Sequence, residues 1–277
     1  INLHWVQGEM ISIEAIGRIR KPLVWTIHDT WPFCGSEHYP SDIYDRRYIK
    51  GYKKNNKPKG HNNFDFDRWC WERKKKHWNN NIHIVCPSKW LANCAMQSEL
   101  MKNWDINVIP NTLDTSIFKQ WPKDISRKLF NLPLNKKIIL FGAIGGTKNY
   151  IKGWDLLFDV LKKVYSQNKD CVAVIFGESK SNMPINLDIP IYFTGKLFDK
   201  ESLAMLYSSA DVMVVPSRLE AFGQTASEAS SCGTPVIAFS NSGLADIISH
   251  NQNGYLVDPY DTNQMSNFIL SLLKNDE

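Results

Sequence analysis

The sequence has no apolar run that approaches the roughly 18 residues needed to cross a bilayer. Its longest apolar runs are strand-length, as in CVAVIF and DVMVVP. No charged-then-apolar leader follows the first residue, so we expect no secretory signal. The six cysteines form no C-x-x-C pair, and the chain is too long for a disulfide scaffold. These absences predict a reducing, cytoplasmic compartment.

The composition is that of a soluble globular protein large enough for two domains. The chain has 277 residues, of which 43% are hydrophobic and 22% are charged. At about 100–200 residues per domain, this length favours two domains. Neither a disordered chain nor a collagen-like fibre has this composition.

Positive charge is concentrated in one segment, residues 46–78, which we call the basic segment. It carries twelve Lys or Arg and three acids, a net charge of +9 in a chain whose total is +5. Seven aromatic residues are interleaved with these cations. Two interpretations stay open: a solvated insertion loop, or a contact with anionic lipid headgroups or a lipid-diphosphate acceptor. Nucleic-acid binding is disfavoured, because the remaining chain is acidic on balance.

Short apolar runs alternate with segments of helical periodicity, which predicts parallel βαβ units. We interpret them as two Rossmann-like domains, residues 1–115 and 116–277, with a polar, irregular linker near 111–135. Continuous apolar runs are typical of strands buried on both faces of a parallel sheet. The predicted strands are 23–27, 82–86, 106–110, 137–142, 171–176, 191–194, 212–215 and 235–238. The predicted helices begin after Ser88 and span 153–167, 199–208 and 224–231.

Residues 215–239, VPSRLEAFGQTASEASSCGTPVIAF, contain the pattern with the most chemistry. A strand ends at Val215, a loop carries Glu220 and Gly223, and a helix with Glu228 follows. Unpaired N–H groups at a helix start favour an anion such as a diphosphate, and glycine permits close approach of the backbone. A carboxylate accepts hydrogen bonds from paired sugar hydroxyls. The alternative is that both glutamates are ordinary solvated acids.

This stretch resembles the E-x7-E signature of retaining GT-B glycosyltransferases of family 4, also called group 1. Further stretches agree with the family in the same order along nearly the whole chain. They are VWTIHDTWPF, VCPSKWLANCAMQS, VIPNTLDTSIF, YIKGWDLL, FTGKLFDKESLAMLYSSADVMVVPS and SGLADIISHNQNGYLVDPYD. The resemblance implies an α/β, GT-B-like fold, with two Rossmann-type parallel-sheet domains facing a cleft.

The resemblance also implies roles for residues of the signature. Glu228 would bind the ribose hydroxyls of a nucleotide, and Glu220 would touch the transferred sugar. The backbone of Ala221, Phe222 and Gly223 would contact the sugar and the phosphates. The donor would be a nucleotide-diphosphate sugar, which is a substrate, so no cofactor and no metal ion are expected.

Two residues outside the signature complete the implied site. Lys152 would reach the diphosphate, where an ammonium suits the charge that grows on the leaving group. His28 would lie on the acceptor side, with Asp29 as its orienting partner or as a turn former. The implied reaction retains the anomeric configuration, with same-face attack and the donor phosphate assisting deprotonation of the acceptor.

The chain departs from the family in two places. An Arg usually follows a glycine after the first strand of the nucleotide domain, whereas here Gly142 is followed by Ala143. Gly142 stays a predicted donor-site residue, and Lys148 could substitute for the missing cation. The chain also begins and ends within the family's usual length. We therefore expect an incomplete N-terminal domain and a sequence truncated at both ends.

The resulting hypothesis is an enzyme of surface polysaccharide or lipopolysaccharide synthesis, active in the cytoplasm or at the inner face of the membrane. The sugar acceptor would be a glycan or a lipid-linked glycan. The alternative hypothesis is a non-catalytic protein that binds nucleotide sugars. Two metal-binding patterns are disfavoured: FDFD at Asp65 and Asp67, and a loose set of possible zinc ligands. That set comprises Cys34, His38, His61, Cys70 and His77.

Overall fold

A computed structural model describes residues 1–6, 10–40, 44–58, 64–78, 81–142, 149–178 and 187–274. The chain divides into two compact units. The first unit is Ile1–Asn111 together with Leu219–Phe222, and the second is Thr112–Arg218 together with Gly223–Glu277. Among the described residues, no helix has both the length and the apolar character needed to cross a membrane.

The first unit contains a parallel sheet of four strands in the order β1-β2-β3-β4. Its core contains Trp25, Ile27, Ile84 and Cys86, each no more than 1% exposed. As predicted, α4 begins after Ser88, whose hydroxyl oxygen accepts from the N–H of Leu91. The elements are β1 (Asn2–His4), α1 (Ile13–Gly17), β2 (Leu23–Thr26), α2 (Arg47–Lys50), α3 (Phe66–His77), β3 (Ile82–Cys86), α4 (Lys89–Gln97) and β4 (Ile106–Val108).

The described parts of the basic segment, 46–58 and 64–78, are folded against this unit, so the interpretation as a solvated loop is wrong for them. It supplies α2, α3 and a short 3-10 turn, Lys54–Asn56. Four of its aromatic side chains are buried in the core of the unit: Tyr48, Tyr52, Trp71 and Trp78. Composition predicted a charged surface because the lysines outnumber these aromatics, but the aromatics decide where the helices pack.

Several cations of the basic segment are paired inside the fold. Arg47 is buried and lies 2.7 Å from the carboxylate of Asp65, which also accepts from Arg68 N at the start of α3. Arg73 makes a two-pronged contact with Glu14, 2.8 Å for each hydrogen bond. The +9 of the sequence therefore overstates the charge that this surface offers to a partner.

The FDFD pattern serves the fold. Asp65 caps α3 and pairs with Arg47, and Asp67 accepts from both the N–H and the hydroxyl of Ser36. Each carboxylate therefore has structural partners. Within the described residues, no group of three or more His, Cys, Asp or Glu side chains is arranged to hold a metal ion.

The second unit contains a parallel sheet of six strands in the order β10-β9-β8-β5-β6-β7. All six residues of β6 are buried, as are all four of β8 and of β9. The side chains of β5 point alternately into two apolar clusters, with Ile138 on one face and Ile139 on the other. The elements are α5 (Lys123–Leu129), β5 (Lys137–Gly142), α6 (Trp154–Gln167), β6 (Cys171–Phe176), β7 (Ile191–Gly195), α7 (Lys200–Ser209), β8 (Val212–Val215), α8 (Gln224–Ser231), β9 (Val236–Phe239), β10 (Gly254–Val257) and α9 (Thr262–Lys274).

The predicted α/β class with parallel sheets is confirmed, and the predicted strands agree to within two residues at each end. The prediction of an irregular linker at 111–135 is wrong over α5, Lys123–Leu129. Pro122 and Pro133 suggested a loop, but Pro122 stands at the N-cap of the helix, where a missing N–H costs nothing.

A buried arginine on α5 joins three parts of the second unit. Arg127 donates to the carbonyls of Ser209, Leu134 and Lys136 at 2.9–3.1 Å. It also lies 2.7 Å from the carboxylate of Asp211, which in turn accepts from the N–H of Ile138. One guanidinium therefore satisfies polar groups at the end of α7, before β5 and before β8.

We expect Arg127→Met to lower the free energy of unfolding by about 1–3 kcal/mol, because the buried carbonyls that accept from Arg127 lose a donor. Asp211 keeps its second cation, Lys123, at 2.9 Å. For a protein of this size each kcal/mol lowers Tm by roughly 2–4 °C. Thermal unfolding followed by circular dichroism measures the change. The control is Lys128→Met, which removes an exposed pair with Asp124 worth about 0.5 kcal/mol or less. Equal Tm values for the two variants would contradict this role of Arg127.

Candidate functional site

In the second unit, the loop before α8 has a conformation that requires glycine. Gly223 has φ +101°, and a Cβ at this position would overlap the side chain of Leu244. The first backbone N–H groups of α8 follow directly, and a helix start of this kind favours negative charge. The side chains of Ala221 and Phe222, which belong to the first unit, are buried. The contact of these backbones with a ligand stays a prediction.

Glu228 lies in α8 and is 9% exposed. Its carboxylate accepts a 2.7 Å hydrogen bond from the hydroxyl of Tyr207 in α7. Burial raises the pKa of Glu228 above its ordinary value. A buried carboxylate oriented by one hydroxyl is suited to accept further hydrogen bonds from a ligand's hydroxyls. Tyr207 was not singled out from the sequence, since a tyrosine in an apolar helix carries no motif.

Lys152 ends a 3-10 turn, Tyr150–Lys152, that packs closely on the loop after β8. Gly153 has φ +69°, and a Cβ there would collide with the carbonyl oxygen of Pro216. The N–H of Arg218 donates to the carbonyl of Ile151 at 2.8 Å. Glycine at 153 is therefore required both by backbone conformation and by contact.

Arg218 fastens this turn and was missed in the sequence, although it lies two residues before Glu220. It is buried and lies 2.6 Å from the carboxylate of Asp155, in the first turn of α6. It also donates to the carbonyl of Tyr150 at 2.7 Å. The guanidinium lowers the pKa of Asp155. The signal that the sequence offered was an arginine inside a ligand-binding motif.

Gly142 ends β5, and a Cβ there would overlap the ring of Phe176 at the end of β6. Packing between neighbouring strands therefore accounts for this glycine. Lys148 and Ala143, the proposed substitute cation and the departure from the family pattern, lie outside the described residues. The donor role of Gly142 stays a prediction.

In the first unit, the segment Leu219–Phe222 is tied to residues far away in sequence. The hydroxyl of Ser88 donates to the carbonyl of Ala221 at 2.6 Å, and the N–H of Ala221 hydrogen-bonds to the side chain of Tyr39. Burial and the nearby charge of Glu220 raise the pKa of Tyr39. Glu220 therefore lies near Tyr39, a half-buried tyrosine on the loop that follows β2.

His28 contacts a second histidine that sequence analysis did not single out. Its Nε2 lies 3.0 Å from Nδ1 of His4, at the end of β1, and the two rings stack with centroids 5.3 Å apart. Burial and the neighbouring His4 lower the pKa of His28. Because β1 and β2 are parallel neighbours, their carboxyl ends place both imidazoles together. His28 is therefore suited to act as a neutral hydrogen-bonding group.

Asp29 orients a histidine other than the predicted one. It is 2% exposed, and its carboxylate contacts Nδ1 of His38 at 2.6 Å and accepts from the N–H of Trp31 at 3.0 Å. The carboxylate raises the pKa of His38. The hydrogen bond from Trp31 confirms the prediction that Asp29 is a turn former. The imidazole that Asp29 orients is that of His38, ten residues after His28.

A buried lysine closes this loop from α3. Lys74 is 0% exposed, and its ammonium donates to the carbonyls of Trp31, Cys34 and Gly35 at 2.5–3.1 Å. The ammonium also lies 3.7 Å from the ring centroid of Trp31, a cation–π contact. Burial lowers the pKa of Lys74 to about 7. The basic segment thus supplies the cation that shapes the loop between His28 and His38.

A comparison with protein families matches residues 122–277 to the family described as Glycosyl transferases group 1. Among curated proteins, the D-inositol 3-phosphate glycosyltransferase of Xylanimonas cellulosilytica is 30% identical over 186 residues. That alignment covers 62% of this chain and 43% of the relative. The match therefore spans less than half the length of that curated relative.

Solved structures of glycosyltransferases have the same fold. Sucrose-phosphate synthase from Thermosynechococcus elongatus aligns with a TM-score of 0.68 at 24% identity, covering 93% of this chain and 60% of that one. Anabaena HepE, in complex with UDP and glucose, aligns with a TM-score of 0.65 at 19% identity, covering 93% and 63%. These likenesses confirm the predicted GT-B-like fold, α/β with two parallel sheets.

We expect Lys74→Met to lower the free energy of unfolding by about 2 kcal/mol. Three carbonyls lose a donor, at about 1–3 kcal/mol for each buried group left unsatisfied, and the loss is partly offset because no ammonium is buried. Hydrogen exchange should accelerate in residues 30–38, where Phe33 and Cys34 donate to the carbonyl of Thr30.

The matched control is Lys75→Met, since Lys75 is the exposed neighbour of Lys74 and lies 5.0 Å from the ring centroid of Trp71. Mass spectrometry of exchanged peptides compares the two variants. If both leave the exchange of residues 30–38 unchanged, Lys74 does not shape the loop.

Proposed function

The chain belongs to the group 1 glycosyltransferases, and we propose that it transfers a sugar from a nucleoside diphosphate sugar to a hydroxyl group of an acceptor. The observation that carries the proposal is the environment of the E-x7-E pair. Glu228 is a buried, tyrosine-oriented carboxylate on α8, and Gly223 opens that helix in a conformation that only glycine adopts easily.

Glu228 binds the ribose of the donor in this proposal. Its carboxylate already accepts from Tyr207 and has lone pairs left for two vicinal hydroxyls. The diphosphate then lies at the start of α8, where N–H groups and the helix dipole favour it. Lys152 reaches the diphosphate from the turn that Arg218 fastens, and its charge stabilises the departing nucleotide.

Glu220 and His28 act on the sugar being transferred. The acceptor oxygen bonds to the anomeric carbon as the bond from that carbon to the phosphate oxygen breaks. The acceptor attacks from the face that the phosphate leaves, so the configuration is retained, and its proton passes to the departing phosphate. Glu220 orients the sugar, while His28, whose pKa is lowered by burial and by His4, contacts it as a neutral imidazole. This route requires neither a metal ion nor a cofactor.

The comparisons favour particular substrates. HepE was solved with UDP, which supports uridine as the base. The relatives named D-inositol 3-phosphate glycosyltransferase favour a polyhydroxylated acceptor. Within that class we propose a glycan or lipid-linked glycan of a surface polysaccharide, a context that still rests on the motif VWTIHDTWPF. Peripheral membrane contact through the basic segment, residues 46–78, stays a prediction.

Glu228→Gln separates binding from stability. We expect UDP to bind about 10- to 100-fold more weakly, because charge-assisted hydrogen bonds to the ribose are worth about 1.5–3 kcal/mol each. Because the pKa of Glu228 is raised on folding, the folded chain retains a proton that the unfolded chain loses. The ordinary pKa of a glutamate is 4.5. The contribution of Glu228 to the free energy of unfolding therefore falls as the pH rises above 4.5. The variant should match or exceed wild-type Tm, by more at pH 8 than at pH 5.

Isothermal titration with UDP and thermal unfolding at both pH values measure these effects. Glu201→Gln is the matched control, since Glu201 is exposed in the first turn of α7. UDP binding that survives Glu228→Gln would remove the ribose role from Glu228.

Glu220→Gln tests catalysis. With UDP-glucose, UDP-galactose and UDP-N-acetylglucosamine in the presence of EDTA, we expect the wild type to release UDP from at least one donor. We expect the variant to do so about 100- to 1000-fold more slowly, the range for loss of one transition-state contact, with UDP affinity unchanged. A chain that binds UDP but neither hydrolyses nor transfers any donor would favour the non-catalytic alternative.

A further inference from the structure

The end of β1 and the loop after β2 bring together a group of side chains that the donor chemistry does not use. Trp5 follows β1 and is 50% exposed, and its indole stacks on the imidazole of His38 with centroids 5.1 Å apart and planes 16° apart. Trp5 also has φ +36°, an uncommon conformation for a bulky residue. Such backbone strain persists where the surroundings over-determine it and is concentrated at ligand sites.

His38 is fixed at its backbone and at its ring. Its carbonyl accepts from both the N–H and the hydroxyl of Thr30, at 3.0 and 2.8 Å. Its Nδ1 contacts the buried carboxylate of Asp29 at 2.6 Å. A carboxylate accepts only, so Nδ1 carries a proton and Nε2 is the ring nitrogen left for a ligand. Because Asp29 raises the pKa of His38, Nε2 accepts a hydrogen bond in the neutral ring and donates one in the imidazolium. The side chain of His38 is 47% exposed, so a ligand can reach this ring.

This oriented pair lies beside the segment that carries Glu220. Tyr39, the residue after His38, hydrogen-bonds with the N–H of Ala221. The charges of both Glu220 and Asp29 raise its pKa. The indole of Trp5 and the imidazole of His38 are therefore close to Glu220. In the proposed function, Glu220 orients the transferred sugar. If Glu220 orients the transferred sugar as the proposed function has it, a group bound at Trp5 and His38 is the acceptor.

We propose that Trp5 and His38 form the subsite for the acceptor, and that its ligand is an uncharged, polyhydroxylated sugar ring. The C–H groups of such a ring pack on the exposed part of the indole, and one hydroxyl, which can donate or accept, forms a hydrogen bond with Nε2 of His38. Asp29 is the positioning residue, because it fixes the tautomer and orientation of His38. This inference rests on the proposed function and names the acceptor class for the same site.

Binding to a probe tests the subsite without requiring turnover. The 277-residue chain is titrated with the methyl glycosides of glucose, galactose, mannose, N-acetylglucosamine and rhamnose, and with myo-inositol. Indole N–H resonances report contact, and Trp5→Phe assigns the resonance of Trp5. We expect at least one probe to shift the Trp5 resonance saturably. We expect His38→Gln to weaken that probe about tenfold, the effect of losing one hydrogen bond of about 1.4 kcal/mol.

The first unit supplies matched controls. His83 pairs through Nδ1 with Asp105 at 2.8 Å and is 55% exposed, so His83→Gln removes a similar pair elsewhere. Trp69→Phe changes another half-exposed indole, on α3. Both controls should bind the probe as the wild type does. UDP affinity, measured separately, should be unchanged in all four variants, which separates this subsite from the donor site.

Three results would overturn the proposal. In the first, no probe shifts the Trp5 resonance. In the second, His38→Gln and His83→Gln change binding equally. In the third, inorganic phosphate shifts the resonances of His38 while no sugar shifts the resonance of Trp5. The ligand of the subsite would then be an anion and not a sugar ring. If the wild-type chain does not bind UDP, the proposed function is contradicted instead.

Discussion

The ammonium of Lys74 is the interaction on which the candidate acceptor side depends. It is fully buried, and its three hydrogen bonds go to carbonyls of one short loop. That loop begins after His28 and returns to His38, so the ammonium fixes the path that brings Asp29 and His38 into contact. A buried charge is costly unless it is fully hydrogen-bonded. The lowered pKa of Lys74 expresses that cost.

The nucleotide side depends on close approach of backbone. Glycine at 153 and at 223 allows two turns to pack where any side chain would collide, and Arg218 fastens the first of these turns through Asp155. Gly223 and Pro216, the residue that Gly153 contacts, both follow the buried strand β8, so this strand positions both turns. Rigid strands that end in tight, glycine-dependent loops are a common support for ligand sites in open α/β sheets.

Local patterns predicted five of the six described strands of the second unit, but not β10, α5 or α9. Its strands are continuous apolar runs such as CVAVIF, and these are buried on both faces as such runs require. The first unit was harder, because β1 has only three residues and α3 is rich in lysine. Composition suggested that α3 is solvated, whereas Trp71, Trp78 and Lys74 point inward. The sign and number of charges did not predict which cations are paired, since that depends on contacts between distant residues.

Candidate site residues could be singled out from the sequence where the motif is local. Glu220, Gly223 and Glu228 lie within nine residues of one another, and a motif is enough to single them out. The partners of His28 and Asp29 were not predictable from the sequence. His4 comes from another strand, and His38 from the far end of a loop. The contact between Ser88 and Ala221 spans 133 positions. No spacing rule reaches across such distances, and only the fold brings these groups together.

The central claim is that the second unit binds a nucleoside diphosphate. The most direct test is a thermal-shift screen of the chain against UDP, GDP, ADP and CMP in the absence of metal. A ligand at 100 times its Kd adds roughly 2.7 kcal/mol to stability. We predict a clear upward shift with UDP and little or none with CMP, which lacks the second phosphate. Cooperative unfolding at an unchanged Tm with all four nucleotides would contradict the account.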